Sequence, residues 1–230
     1  EQLPERIRRF HKDRVSSINS RSLPVQLPQR FTVVLHSIPY SSLRSNRRLF
    51  DAQAIKQHAD KLNPLTSSTS QARYNVDGVI TVHHETIIGG PRSLAGYCQG
   101  FRDGAIEAVS TYFSPDDSNR SRIPGTLLAY SLIKSIDSYR KLHTALDLGH
   151  PVSIQVSLLH AKNLILATNP RWTHSAKAID RDRIELPDVL VTDPSERSDH
   201  TIRPILDALW NASGYESCLE YDEEGNWSNR

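Results

Sequence analysis

The segment of the sequence that most resembles a metal-binding motif has two adjacent histidines and a glutamate, His83, His84 and Glu85. Imidazole and carboxylate groups are common zinc ligands, and a zinc site gathers several of them around one ion. On a strand, however, successive side chains point to opposite faces, so only one of the two histidines could share a site with its neighbours. No second cluster with ligand spacing accompanies this segment, so we expect no metal. A hydrolase that uses His83, Glu85 or Glu107 is therefore the least favoured function.

A second group of residues could bind a ligand or a partner by stacking and hydrogen bonding. Tyr97, Gln99 and Phe101 alternate along a predicted strand, which places all three on one face. Arg102 follows at the end of that strand. Aromatic, amide and guanidinium groups on one face can stack on a base or a small ligand and hydrogen-bond it. The alternative, which the sequence favours, is that Tyr97 and Phe101 pack under a helix.

Residues 3–19 predict a helix with a thin apolar stripe and a basic remainder. Pro4 suits the first helical turn, where its missing amide hydrogen is not needed. The residues that could contact the phosphates of a nucleic acid are Arg6, Arg8, Arg9 and Lys12. Charge runs are more often solvated faces, so we predict that residues 1–20 form a solvated helix that connects to a missing upstream domain.

Other patterns that could support catalysis are incomplete. Gly89 and Gly90 lack the Lys-Ser/Thr pair with which a phosphate-binding loop reaches phosphate and magnesium. Adjacent carboxylates, Asp116 and Asp117 or residues 222–224, fall in polar segments where we expect exposure. General acid-base catalysis needs buried carboxyls with shifted pKa values instead. We therefore predict no catalytic residue and no cofactor, and an enzyme is the less favoured alternative.

A hairpin over residues 93–113 is the element around which the predicted sheet is organised. Asp103-Gly104 is a strong tight-turn signal because both central residues of such a turn adopt positive φ. Residues 105–113 alternate as a half-buried strand does. The further predicted strands are 31–38, 74–84 with a bulge at Asp77-Gly78, 152–159 and 164–168 joined as a second hairpin, and an edge strand within 184–191.

Two helices are predicted to cover this sheet. Residues 123–148 carry apolar side chains at intervals of three or four, which gives one apolar face. A second helix is predicted over about 200–213. The predicted fold is α+β, with a mostly antiparallel sheet of about five to seven strands built from hairpins and covered by both helices. The predicted organisation is a single domain over 31–213, followed by an acidic tail over 214–230.

Composition and charge exclude several classes of protein. The 28 basic and 26 acidic residues give a net charge of +2, too small to indicate nucleic-acid binding by itself. Cys98 and Cys218 lie far apart, so we expect free thiols in a reducing compartment. No apolar run approaches the ~18 residues that suggest a membrane span. We therefore expect a cytoplasmic protein that does not contact a membrane.

Several short segments occur here in one combination. They are 5–10, 33–36 with Pro39, 73–75 with 77–78, 99–102 with Gly104, 106–109, 156–159, and 221–225 with Trp227. In this combination the chain resembles the C-terminal region of bacterial multidomain proteins that carry an N-terminal Schlafen-type AlbA_2 domain. One departure is at His160 and Lys162-Asn163, where the resemblance leads us to expect a Gly-containing turn.

The resemblance implies a role in a larger protein. Proteins of this kind are commonly named as DNA-binding or ATP-binding proteins, and their nuclease-like or nucleotide-associated residues belong to the AlbA_2 domain. The resemblance therefore implies that no catalytic residue can be carried over. The sequence contains no Met, so either the chain begins inside a longer protein or non-standard methionines are left out of it. The resemblance fits a missing upstream domain and a natural C-terminus at Arg230.

The favoured function is a non-catalytic accessory domain of a bacterial nucleic-acid-associated protein, used for docking, oligomerisation or sensing. Its expected partners are the upstream AlbA_2-type domain of the same protein and a second copy of the chain. Nucleic acid is expected to be bound through the full-length protein. The alternative is a small-molecule sensor, in which sheet and helix enclose a pocket beside Tyr97 and Gln99, as PAS- or GAF-like folds do.

Overall fold

An antiparallel sheet forms the centre of the protein in a computed structural model, which describes residues 2–66, 71–86, 92–115, 121–168 and 176–228. The elements, in chain order, are α1 (Leu3–Asn19), β1 (Thr32–Pro39), α2 (Ala52–Lys56), β2 (Arg73–Asn75), β3 (Gly78–Thr86), β4 (Arg92–Phe101), β5 (Ile106–Ser110), β6 (Arg122–Pro124), α3 (Gly125–Ala145), β7 (Val152–Leu159), β8 (Ile165–Ala167), β9 (Ile184–Glu185), β10 (Val189–Val191), α4 (Ser198–Thr201) and α5 (Arg203–Asn211). Single 3₁₀ turns occupy Tyr40–Leu43 and Ala59–Lys61. The segments with Gly89-Gly90 and Asp116-Asp117 lie outside the described residues.

The main sheet has the order β10-β7-β1-β5-β4-β3-β2, and β9 also pairs with β7. All neighbouring strands in it are antiparallel. The prediction of an α+β fold with a mostly antiparallel sheet is confirmed. The central hairpin is confirmed as well, because β4 and β5 are joined at Gly104, whose φ is +91°. None of the helices in the described ranges combines the length and the apolarity needed to cross a bilayer.

Helices α3 and α5 cover one face of the sheet. Leu132 and Ile136 of α3 are 1% and 0% exposed, and Trp210 of α5 is fully buried. They join one large apolar cluster with strand residues such as Leu35 and Ala108. Full burial of a side chain of this size contributes about 1.5–3 kcal/mol, so this face supplies much of the stability. The predicted long helix is therefore present, although it spans Gly125–Ala145 and not 123–148.

Helix α1 covers the opposite face of the sheet and is not a solvated helix. Ile7, Val15 and Ile18 are at most 5% exposed, and His11 is buried among them. Val15 and Ile18 pack against strand residues including Val34. The predicted apolar stripe looked thin because polar residues of α1 also face the sheet. The prediction that α1 connects to an upstream domain stays a prediction.

The predicted second hairpin is wrong. Strand β8 does not pair with β7 but lies parallel to β6 in a separate two-stranded sheet. Strand β7 is already paired with β1 on one side and with β9 and β10 on the other, so no edge is left for β8. The chain leaves β7 at His160, whose φ of 55° turns the backbone away. The predicted edge strand is present as β9 and β10.

Three smaller predictions also need correction. Val76 and Asp77 form the turn between β2 and β3, Gly78 is the first residue of β3, and the register shift in β3 lies instead between His83 and His84. The C-terminal helix divides into α4 and α5, because Pro204 can only occupy a first helical turn. The predicted tail packs on the domain, since Tyr215 and Cys218 are buried. Cys98 is buried too, and both thiols are free.

The turn of the central hairpin gives a direct test of this fold. Gly104→Ala places a Cβ 2.3 Å from Leu148 Cδ1 at a φ of +91°, and we expect it to lower the free energy of unfolding by roughly 1–3 kcal/mol. The control is Gly149→Ala, where no heavy atom lies within 4 Å of the new Cβ. Urea unfolding should therefore separate the two variants. Equal midpoints would contradict the described turn.

Candidate functional site

A row of polar side chains crosses the face of the sheet that α1 covers. Gln155 of β7, His36 of β1, Glu107 of β5 and Gln99 of β4 stand opposite one another in adjacent strands. We call these four residues the polar row. All four are at most 4% exposed. Burial of so many polar groups is costly unless each finds a partner, and α1 supplies several of them.

The carboxylate of Glu107 is the centre of the polar row. Arg14 of α1 donates from Nε to Oε2 and from Nη2 to Oε1, both at 2.7 Å. Tyr97 donates its hydroxyl to Oε1, and His36 Nε2 lies 2.8 Å from Oε2. Burial alone would raise the pKa of Glu107, but the hydrogen bonds from Arg14 and His36 outweigh it and bring the pKa to about 2. Glu107 is therefore an ion that accepts four hydrogen bonds.

The contacts continue from His36 through His11 to Ser157. His11 Nδ1 lies 2.7 Å from His36 Nδ1, and His11 Nε2 lies 2.8 Å from Ser157 Oγ. Burial is the largest cause that lowers the pKa of His11 to about 2, and the nearby guanidinium group of Arg183 adds to it. His11 is therefore neutral at physiological pH.

One arrangement of protons satisfies every contact without an unpaired buried charge. Since the carboxylate can only accept, His36 donates from Nε2 and accepts at Nδ1. His11 then donates from Nδ1, and its Nε2 accepts from the hydroxyl of Ser157. Arg14 already neutralises Glu107, and a second cation here would lack a counter-ion.

The order serine, histidine, histidine, glutamate is similar to the catalytic triad of a serine hydrolase, but with a second histidine between the serine and the acid. A nucleophile needs access to substrate, but Ser157 and Glu107 are both 0% exposed. All four donors reach Glu107 from the protein itself. The arrangement therefore holds α1 on the sheet. A cavity of about 350 Å³ beside it is lined by His11 and Gln155, but its lining includes neither Ser157 nor Glu107.

Sequence reasoning missed this network. It singled out Glu107 only for a hydrolase and did not place His36, which is buried, among the candidate site residues. His11 and Arg14 were not recognised, although they share a helix face with Ile7, Val15 and Ile18. Their spacing within the buried stripe is the signal that could have found them.

The predicted ligand surface is closed. The structure brings Tyr97, Gln99 and Phe101 to one face, but Tyr97 and Gln99 are 0% and 1% exposed. Phe101 packs edge-on against Phe10 of α1. Arg102 donates a hydrogen bond from Nε to the backbone carbonyl of Val76, in the turn between β2 and β3. The alternative of packing under a helix is what the structure shows, and the expected pocket beside Tyr97 and Gln99 is filled.

The basic residues of α1 lie on its outer side and flanks. Arg8 contacts Asp188 at 3.3 Å, and Arg9 contacts Asp13 at 3.8 Å. These acidic partners offset two of the four predicted phosphate-binding residues; Lys12 is exposed and Arg6 half-buried. Contact with nucleic acid stays a prediction.

The hydrolase residues do not form one site. His83 and Glu107 lie on opposite faces of the sheet, because His83 points to the α3 side while Glu107 points to α1. Glu85 forms an ion pair with Arg30. Within the described ranges, no group of three or more metal-ligating side chains comes together.

A cavity of about 390 Å³ opens on the other side of the molecule, between α3 and the ends of β3 and β5. We call it the α3 cavity. Its lining includes His83, Tyr112, Leu127, Tyr130, Ser131 and Lys134. The His83 and Tyr112 rings meet edge to face with centroids 5.2 Å apart. Among the described residues, His83 Nδ1 has no hydrogen-bond partner, and burial lowers the pKa of this imidazole.

Removal of the central charge tests the network. We expect Glu107→Gln to lower the free energy of unfolding by about 2–4 kcal/mol, because Arg14 loses its ion partner but keeps partial access to water. The matched control is Asp13→Asn. Asp13 forms a solvent-exposed ion pair with Arg9, which should contribute no more than about 0.5 kcal/mol to the free energy of unfolding. Denaturant unfolding measures both. A similar loss in the two variants would contradict the central role of Glu107.

The buried histidines predict weaker folding in acid. Burial lowers the pKa of His11 to about 2 and that of His143 to about 4, against 6.5 when unfolded. The unfolded chain therefore binds more protons below pH 6.5, and stability falls as pH falls. Glu107 adds nothing to this window, because it is ionised in both states above its unfolded pKa of 4.5.

Between pH 7.5 and 5.5 we expect a loss of roughly 1.4 kcal/mol for each of these two histidines. Urea midpoints at the two pH values measure it. His143→Phe should remove about half of the difference. A chain that is equally stable at both pH values would show that the imidazoles are not held neutral.

Comparison with known proteins adds no family to these observations. No protein-family model, no curated protein and no solved structure matches the chain. The resemblance to AlbA_2-type proteins therefore stays a prediction, and the geometry of the α3 cavity and of the polar row carries the functional argument.

Proposed function

We propose that this chain is a non-catalytic sensing module of a bacterial, cytoplasmic, nucleic-acid-associated protein of the AlbA_2 type. In this proposal the module binds a small molecule in the α3 cavity. The observation that carries the proposal is the cavity itself, an open concave site of about 390 Å³ with aromatic walls and a few polar groups. Sites for small molecules usually have this size and this kind of lining.

The surface around the cavity supports ligand binding. The structure shows seven large apolar or aromatic side chains that are exposed within its described residues, and three of them, Tyr112, Leu127 and Tyr130, line the α3 cavity. Single exposed apolar residues are common, but a concentration of them at one opening is typical of a binding site.

The sealed network supports a role other than catalysis. The strongest acid-base arrangement, from Ser157 to Glu107, is used internally to fix α1. It also lies on the face of the sheet opposite to the α3 cavity. Ligand binding and the fastening of α1 are therefore separate tasks of the two faces.

Helix α3 provides a route from the cavity to the core. Ser131 and Ser135 line the cavity, while the adjacent Leu132 and Ile136 are buried against the sheet. A ligand that contacts the first pair would favour one position of the whole helix, because buried apolar contacts tolerate little displacement. In the full-length protein, a change in the position of α3 would alter its contacts with the upstream AlbA_2-type domain, with a second copy or with bound nucleic acid.

A thermal-shift screen of the purified chain tests the proposal. We expect at least one class among neutral, cationic and anionic small molecules to raise the melting temperature in a saturable way. Tyr130→Ala should weaken that binding at least tenfold, because it removes an aromatic wall of the cavity. The control is Tyr74→Ala, which removes an exposed tyrosine outside the cavity. Absence of any saturable binder, or equal effects of the two variants, would refute a sensing role for this site.

A further inference from the structure

The chemistry of the α3 cavity indicates what it binds. We propose that its ligand is a small aromatic anion, a planar ring that carries one carboxylate or phosphate group. This inference rests on the proposed function and adds the class of ligand. It follows from the charge, the hydrogen-bonding groups and the ring surfaces of the lining, taken in turn.

The charge of the lining is positive. Lys134 is an exposed cation on α3, and the lining residues within the described part of the chain include neither Asp nor Glu. Its ammonium group lies 5.5 Å from the centre of the Tyr130 ring and forms no ion pair with a described residue. A cation at the edge of a partly desolvated cavity attracts an anion more strongly than one in open water does. Lys134 and Tyr130 also border a neighbouring cavity, whose lining includes Asp137 and Asp199, so the acidic groups lie on the far side of Lys134 from the α3 cavity lining.

Neutral polar groups can complete the contacts to an anion. Ser131 and Ser135 are one turn apart on α3 and both line the cavity, and Ser135 also hydrogen-bonds the buried Tyr139. His83 is 7% exposed, and its Nδ1 lacks a hydrogen-bond partner in the part of the chain that the structure describes. Because burial keeps this imidazole neutral, it can donate one hydrogen bond without adding a second charge. Hydroxyl and imidazole donors beside one ammonium group suit a single carboxylate or phosphate.

The ring surfaces favour a planar ligand. Tyr112 and Tyr130 are 41% and 38% exposed, so part of each ring is free for contact. Tyr112 is held edge-on between His83 and Phe113, which keeps its ring in one orientation. Stacking on a ring that is already fixed costs little conformational entropy. An aliphatic anion would leave these rings unused, and an uncharged ring would leave Lys134 unused.

Calorimetric titration of the chain with matched probes tests the inference. The charged rings are indole-3-acetate for the carboxylate and adenosine 5′-monophosphate for the phosphate. Indole and adenosine supply the rings alone, while acetate and inorganic phosphate supply the charge alone. We expect at least one charged ring to bind at least tenfold more tightly than its ring or its anion alone, and to weaken as salt increases.

A matched pair of variants locates the charge. Lys134→Met should reduce the affinity for the charged ring at least tenfold and leave the affinity for its uncharged ring unchanged. Lys141→Met removes an exposed lysine from the same helix but outside the cavity lining, and should change neither. The melting temperature of each variant without probe shows that the fold is intact.

The outcomes separate this inference from the proposed function. If uncharged rings bind as tightly as charged ones, if neither charged ring binds, or if Lys134→Met has no effect, the ligand class is wrong. The sensing function stands in those cases when another compound of the thermal-shift screen binds and depends on Tyr130. If no compound of either set binds, both proposals fail.

Discussion

The ion pair between Arg14 and Glu107 determines how the protein is assembled. A fully buried carboxylate is costly unless it is completely compensated, and the compensation here comes from α1, β1 and β4 together. Helix α1 can therefore sit on the sheet only where Arg14 reaches Glu107 and His11 reaches Ser157. The apolar residues of α1 add stability, but apolar burial is non-directional. The polar contacts fix one position.

The two faces of the sheet solve the problem of burial in different ways. Towards α3 and α5 the contacts are apolar, and side chains such as Leu132 and Trp210 fill the space. On the face towards α1, the polar row lies between two smaller apolar clusters, and hydrogen bonds to α1 compensate for the burial of its polar groups. The apolar face holds its helices mainly by packing, with a few hydrogen bonds from α3 such as those of Tyr139 and His143, and this face borders the α3 cavity. A site for a variable, weakly bound molecule is better placed there than inside a saturated polar network.

What the sequence could predict depends on how local the determining interactions are. The hairpin at Gly104 was predictable because two adjacent residues encode its turn, and α3 was predictable because its apolar spacing extends over six turns of helix. The pairing of β6 with β8 joins distant segments, so the local turn signals after β7 suggested a hairpin instead. His11 and Arg14 were missed because charged and polar residues on a helix usually face water. Their partner, Glu107, becomes recognisable only once α1 is known to cover its strand.

The outer strands of the sheet, β2 and β10, are only three residues long, and β9 adds two more residues along β7. Each offers few free backbone groups to an incoming strand, and short edges of this kind discourage one sheet from continuing into another. At β2 and β10, open-ended strand addition of the kind that leads to fibres therefore has only three residues of backbone to pair with.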